Sequence, residues 1–214
     1  MHTLEDVRRS YKFWSHPLLY SSVVVLFSMG KANRLRARAV EKLELKKGDI
    51  VLDMACGMGH NFPYLAEAVG EGGNIIGFDY SPDMLANAKK RIMKEGWRNV
   101  KIVQGDAAKL PYPEDHFDGA ICTLAMSVIP DYKEALRRMV RVVKPRKHVV
   151  VIDVRLFEGI PRMLNPLWDY SNRLLGAADI RRDTVQDMKI LLDAVCVEEH
   201  LSGMLYIAEG TKEG

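Results

Sequence analysis

The sequence predicts an α/β protein built on a doubly wound, mostly parallel sheet of seven strands. Three observations lead there. From residue 49 onward, short apolar runs alternate with segments of helical period, the rhythm of strands joined by crossover helices. The first run passes straight into a glycine turn, "VLDMACGMGH" (51–60), where Gly57 and Gly59 let the backbone take positive φ and let a ligand approach the main chain. Asp53 closes that run, and Asp79 and Asp106 close the next two. With 214 residues, 48% of them hydrophobic, the chain is long enough for one well-packed domain and short for two.

The elements follow in order. Residues 1–48 form an N-terminal segment whose start, "MHTLEDVRRSYKFW", has the charges and aromatics that a signal peptide lacks, so an intracellular protein is expected. The stretch "PLLYSSVVVLFSMG" (17–30) is apolar over about 13 residues, short of the roughly 20 that span a bilayer; it suits a core segment or an interfacial one. Lys31, Arg34, Arg36 and Arg38 would suit an anionic surface or an ordinary solvated helix face. The core occupies 49–154, with strands expected at 50–55, 74–79, 100–106, 118–124 and 148–154. Helices are expected at 58–69, at 82–95 with Pro82 in its first turn and Ser81 as cap, and at 131–143. An insert fills 155–182. A last helix (183–195) and two strands (195–201 and 204–210) complete the chain.

Composition narrows the function. The net charge of +3 comes from 31 basic and 28 acidic residues spread along the chain, which gives no electrostatic case for nucleic acid. Cys56, Cys122 and Cys196 are odd in number, far apart and in apolar company, arguing for reduced thiols; no CxxC or HxxxH pair suggests a metal. Nothing in the sequence sets the oligomeric state.

The strand ends describe a ligand. In a doubly wound sheet, ligands sit beyond the carboxyl ends of the strands at the point where strand order reverses. A carboxylate after the second strand, Asp79, can accept from both hydroxyls of a ribose. A dinucleotide is disfavoured, because the third small residue of its glycine fingerprint would fall on Phe62, and Asp53 would sit badly near a pyrophosphate. A carboxylate there suits a cation instead, such as an ammonium or sulfonium. The expected ligand carries ribose, adenine and positive charge.

On these motifs the sequence resembles the class I S-adenosylmethionine-dependent methyltransferases, with their Rossmann-like fold, over roughly residues 49–212. The resemblance implies that Asp53, Ala55, Gly57 and Gly59 surround the amino-acid part and sulfonium of S-adenosylmethionine, with Ala55 standing where the family commonly has its first glycine. In "GFDYSPDML", Asp79 would hold the ribose, with Tyr80 and Met84 against the adenine. In "GDAAKLP", Asp106 would accept from the adenine amino group and the Ala107 amide would donate to the ring. Backbone around Thr123 would line the methyl-donor pocket, and S-adenosylhomocysteine would be the product. The lead-in "YKFWSHPLLY" is similar to that of the ubiquinone, menaquinone and soluble phosphatidylethanolamine methyltransferases, in which it forms a lid over the cofactor; Tyr11 and Tyr20 are lid candidates, Tyr20 also as a cofactor contact.

Methyl transfer is an in-line displacement that depends on alignment and exclusion of water. Candidates for acid–base work or acceptor orientation are His16, Tyr20, His60 and Asp131, although a histidine at a helix start such as His60 also serves as an ordinary hydrogen-bonded residue. Acceptor recognition is expected from the insert, where Met163, Leu164 and Leu167 lie near Arg155, Arg181 and Arg182, a mixture suited to a lipid phosphate headgroup and peripheral membrane contact. Because "AMSVIPDYKEALRRMVRVVKP" resembles the phospholipid N-methyltransferase version of this region, the expected acceptor is a phospholipid amine. A quinone or other small molecule is the alternative acceptor. A non-catalytic S-adenosylmethionine-binding protein is the alternative class.

Overall fold

The computed structural model describes residues 31–156, 163–174 and 178–214. Tyr11, His16, Tyr20 and the apolar stretch 17–30 lie outside the described residues. Seven strands form one sheet in the order β3-β2-β1-β4-β5-β7-β6. They are β1 (Ile50–Met54), β2 (Asn74–Asp79), β3 (Val100–Gln104), β4 (Phe117–Thr123), β5 (Val143–Val154), β6 (Asp193–His200) and β7 (Leu205–Thr211). Pairing is parallel from β3 across to β5, and β7 runs antiparallel between β5 and β6. The expected doubly wound, mostly parallel sheet is present. The chain winds from β1 out to β3 and returns to β4 on the other side of β1, so the strand order reverses between β1 and β4.

The described helices are α1 (Ala32–Glu41), α2 (Phe62–Val69), α3 (Pro82–Glu95), α4 (Tyr132–Val142), α5 (Asn165–Leu174) and α6 (Thr184–Leu191). The bounds expected for α3 hold because its local signals agree. Ser81 caps the Met84 amide, Pro82 begins the helix, and Gly96 ends it in the left-handed conformation at φ +72°. The helix expected from residue 58 starts only at Phe62, since 58–61 complete the glycine turn. The helix expected to reach 195 stops at Leu191, and the chain turns directly into β6. β5 begins five residues before the expected 148: Val143 pairs with Phe117 beyond a register shift, which carries the strand through Pro145. β3 stops at Gln104, leaving Gly105 and Asp106 to turn the chain.

Two apolar layers sandwich the sheet. One gathers α1, α2 and α3 around Leu43, Phe62, Leu65 and Ile121; the other gathers α4 and α6 around Phe117, Leu136, Met139 and Met188. Phe62 is fully buried in the first layer, and a β-carbon on Gly59 or Gly77 would lie 2.4 Å or 2.7 Å from its ring. The phenyl ring thus fills the space above the turn and demands glycine on both sides of it. Cys56, Cys122 and Cys196 are free thiols, the first two buried and Cys196 exposed on β6. Among the described residues, no helix is long and apolar enough to cross a membrane.

Candidate functional site

The carboxyl ends of β1, β2, β3 and β4 surround a cleft with about 830 Å³ of empty space, including its open mouth. The glycine turn forms one wall. Ala55 (φ +54°), Gly57 (φ +53°) and Gly59 (φ +73°) all take left-handed backbone, and a β-carbon on Gly57 would meet nothing within 4 Å. The turn is held from the neighbouring strand end: Asp79 Oδ2 accepts from the Gly57 amide at 2.8 Å, and its Oδ1 accepts from the Ser81 amide at 2.8 Å. A carboxylate offers about four acceptor positions, so these two bonds leave capacity for hydroxyl donors. Burial pushes the Asp79 carboxyl up from its ordinary range, against the pull of those amides.

Of the residues expected at the cofactor, Ala55, Gly57, Asp79, Tyr80, Met84, Asp106, Ala107 and Thr123 line the cleft together, as does His60. Gly59 lies behind the turn against Phe62. Asp53 is fully buried beneath the cleft. Its Oδ1 accepts from Asn61 Nδ2 at 2.8 Å, while its Oδ2 has no hydrogen-bond partner among the described residues. Burial raises the Asp53 carboxyl to about 7, opposed by the Asn61 hydrogen bond and by the Arg36 charge. Asp106 caps the short turn Ala107–Lys109 by accepting from the Ala108 amide.

Arg36 was not singled out as a site residue within its basic run. It sits on α1 in the stripe of Leu35, Ala39 and Val40 and is buried, whereas Arg34 and Arg38 are exposed. Its Nη1 donates to Asn61 Oδ1 at 2.8 Å and to Thr123 Oγ1 at 2.7 Å, and Asn61 Nδ2 also reaches Thr123 Oγ1 at 3.1 Å. One guanidinium therefore ties α1 to the start of α2 and the end of β4, and through Asn61 to Asp53 on β1. The stripe itself carried the signal, because position 36 shares a helix face with 39 and 40. Asn61 was missed for want of any motif.

Arg155, Arg181 and Arg182 are not among the residues lining the cleft. Arg182 Nη1 donates to the carbonyls of Met126 and Ile129 at 2.6 and 2.5 Å, and its guanidinium lies over the Tyr132 ring. It holds the turn that forms the outer wall of the cleft. Arg181 pairs with Asp169 on α5, and Arg155 with Glu199 and the Gly203 carbonyl. The same turn is fixed from below, where Ser127 donates through both its amide (2.7 Å) and its hydroxyl (2.8 Å) to Asp153. Burial raises Asp153 to about 6. Asp131 caps α4.

A family model for a methyltransferase domain matches residues 45–196. The demethylmenaquinone methyltransferase of Desulfitobacterium hafniense (strain Y51) is 34% identical over 157 residues, covering 73% of this chain and 62% of that protein. The chain thus spans less than two thirds of the length of that curated relative. A SAM-dependent methyltransferase from Aquifex aeolicus superposes with a TM-score of 0.60 at 21% identity, over 83% of this chain and 89% of that one. The Haemonchus contortus phosphoethanolamine N-methyltransferase 2 in complex with S-adenosyl-L-methionine does so with a TM-score of 0.71 at 17% identity, over 85% and 53%. At such identities the two structures speak for the fold alone. The family match covers the glycine turn and the carboxylates of the cleft, and the chain belongs to the methyltransferase-domain family, that of the S-adenosylmethionine-dependent methyltransferases.

Proposed function

We propose that the protein transfers a methyl group from S-adenosylmethionine to an apolar, quinone-like acceptor. The observation that carries the cofactor half is Asp53 Oδ2, a buried carboxylate oxygen without a hydrogen-bond partner among the described residues, beneath the wall of the cleft. An ammonium would satisfy it. Around it, the remaining groups suit the other parts of the cofactor: Asp79 the ribose, Asp106 and the Ala107 amide the adenine, Tyr80 and Met84 its faces. Arg36, with three N–H donors on Nε and Nη2 beyond its Nη1 bonds, suits the carboxylate. When bound, S-adenosylmethionine supplies an electrophilic methyl group on a sulfonium and leaves as S-adenosylhomocysteine. The chain's own contribution is alignment and exclusion of water, which can supply about 7–11 kcal/mol in favourable systems.

The acceptor half rests on the outer wall, where Leu124, Ala125, Val128, Ile129 and Pro130 present apolar surface to the cleft. The quinone-type relative supports an aromatic acceptor. A phospholipid amine becomes the second reading, because the guanidinium groups expected to take its phosphate already have partners within the chain. Met163, Leu164, Leu167 and Tyr170 are exposed on and beside α5, which Arg181 and Arg182 link to the outer wall, and this apolar face favours a lipid-like acceptor reached at a membrane surface.

The test is turnover with methyl-labelled S-adenosylmethionine against a reduced demethylated quinone and against phosphatidylethanolamine vesicles, followed by product mass. Label in the quinone supports the proposal. Label in the phospholipid would favour the second reading, and cofactor binding without turnover on either acceptor would favour a non-catalytic binding protein.

A further inference from the structure

The outer wall of the cleft is a turn whose backbone is held from behind. Within it, the Val128 and Ile129 amides bond back to the Ala125 carbonyl at 2.9 and 3.0 Å. The carbonyls of Met126, Ser127 and Ile129 are taken by one short segment at the end of the insert. There the Asp179 amide donates to the Ser127 carbonyl at 2.8 Å, and Arg182 Nη1 bridges those of Met126 and Ile129. A bond from a guanidinium is charge-assisted and stronger than one between neutral groups. The guanidinium is itself fixed, lying 4.6 Å from the centre of the Tyr132 ring with Asp179 Oδ2 at 3.5 Å from its Nε. Tyr132 is anchored in turn, its hydroxyl donating to Asp187 on α6 at 2.8 Å. Arg182 does not line the cleft, yet Ala125, Val128, Ile129 and Pro130, which do, belong to the turn it holds.

We propose that Arg182 is a positioning residue for the methyl acceptor: by bridging two carbonyls it sets where the apolar wall stands and makes that wall move as one body with the end of the insert. This inference rests on the acceptor reading above. The brace grips main-chain atoms, so it fixes the backbone of the wall while the side chains of the turn supply its surface. The groups assigned to the cofactor lie on other strand ends, at Asp53, Asp79 and Asp106, and are not reached through Arg182. Arg181, next in the chain, pairs with Asp169 at 2.6 Å and continues the brace onto α5. In-line transfer is sensitive to such placement, since a shift of about 1 Å can cost about 100-fold in rate.

The experiment uses Arg182→Met, which keeps an apolar stem but no donor. Its kcat/KM should fall about 10- to 100-fold with whichever acceptor the wild type methylates, the reduced demethylated quinone or phosphatidylethanolamine in vesicles, while the dissociation constant for S-adenosylhomocysteine should change less than about twofold. Hydrogen exchange should quicken about tenfold or more at the Val128, Ile129 and Asp179 amides together. Exchange at the Gly57 amide, bonded to Asp79, should stay as it was. Arg182→Lys, whose single nitrogen can still donate to both carbonyls, should restore most of both losses. Unchanged exchange in the wall alongside a loss with phosphatidylethanolamine would mean that Arg182 touches the phosphate directly, and would overturn the inference. So would faster exchange at Gly57 and the wall alike, or equal losses for acceptor and S-adenosylhomocysteine, either of which marks a general loss of structure. Absence of turnover by the wild type on both acceptors would overturn the acceptor reading and this inference with it.

Discussion

Cofactor binding should weaken in acid because of one residue. Burial raises the Asp53 carboxyl to about 7, and its Oδ2 lacks a hydrogen-bond partner among the described residues. An ammonium brought to that oxygen favours the carboxylate, so the group's value falls on binding, and below about 7 the ligand must first displace a proton. The affinity is then proportional to the ionised fraction of Asp53. Between about pH 7.5 and about pH 5.5 that fraction falls about 25-fold, equivalent to about 2 kcal/mol.

Titration calorimetry with S-adenosylhomocysteine across this range would measure the loss, and repeating it in buffers of different ionisation enthalpy should count close to one proton released per ligand at about pH 6. His60, which burial pushes down to about 3, contributes nothing in the window. Asp153, at about 6, lies in the window but under the outer wall, away from the amino-acid end. Methylthioadenosine separates the two: it carries no ammonium, so its affinity should be nearly flat. A flat profile for S-adenosylhomocysteine, the same slope for both ligands, or a slope that survives in Asp53→Asn would refute the reasoning.

Three other substitutions probe the site. Gly59→Ala should cost about 2–4 kcal/mol in urea unfolding, because its β-carbon would lie 2.4 Å from the Phe62 ring at φ +73°, whereas Gly57→Ala, with nothing within 4 Å, should cost only about 1–2 kcal/mol from its φ of +53°. Arg36→Met should lower cofactor affinity at least about tenfold and move the acid transition of binding upward, since the charge that opposes Asp53 protonation is gone; calorimetry across pH would show both. Ser127→Ala should destabilise the protein by about 1–2 kcal/mol above pH 6 and by less below it. The sign follows from Asp153, whose carboxylate form accepts both Ser127 bonds and is lost as pH falls through about 6; equal effects on either side in thermal melts would contradict it.

The sequence was most legible where local signals coincided with the fold. Ser81, Pro82 and Gly96 punctuate α3 in the chain itself, and the run from Ile50 to Asp53 reads as a buried strand because both faces of a parallel strand are covered. Asp79 and Asp106 could be placed for the same reason, since a strand end fixes its own position. Arg36 was legible only as an inward position of the α1 stripe, because the groups that define its role, Asn61 and Thr123, come from distant parts of the chain. The insert failed differently. Arg155, Arg181 and Arg182 looked like free cations by composition, but Glu199, Asp169 and the carbonyls of Met126 and Ile129 are partners that only the tertiary fold supplies.

The Ala55 position joins these strands of argument. Where the resemblance led to an expectation of glycine, this chain has alanine at φ +54°, and Leu124 across the cleft takes φ +56°. Each left-handed residue costs about 1–2 kcal/mol, and the raised Asp53 and Asp79 carboxyls add the cost of burying charge. The buried carboxyls lie on the wall and floor of one cleft, whereas the opposite end of the sheet pairs its acids openly, as Asp118 does with Lys144. Left-handed backbone also occurs away from the cleft, at Glu44, Asp115 and Arg146. A site built this way opposes its own folding through groups that a cationic, hydroxyl-rich ligand relieves. The relief is unequal among them: a ligand can satisfy the carboxylates but cannot change φ. Ala55→Gly should therefore stabilise the protein alone and the complex by the same amount, while Asp53→Asn should stabilise the protein alone at pH 8 and lower the affinity for the cofactor. A thermal-shift measurement with and without S-adenosylhomocysteine distinguishes the two kinds of cost, and a ligand-dependent gain in Ala55→Gly would show that the turn itself moves on binding.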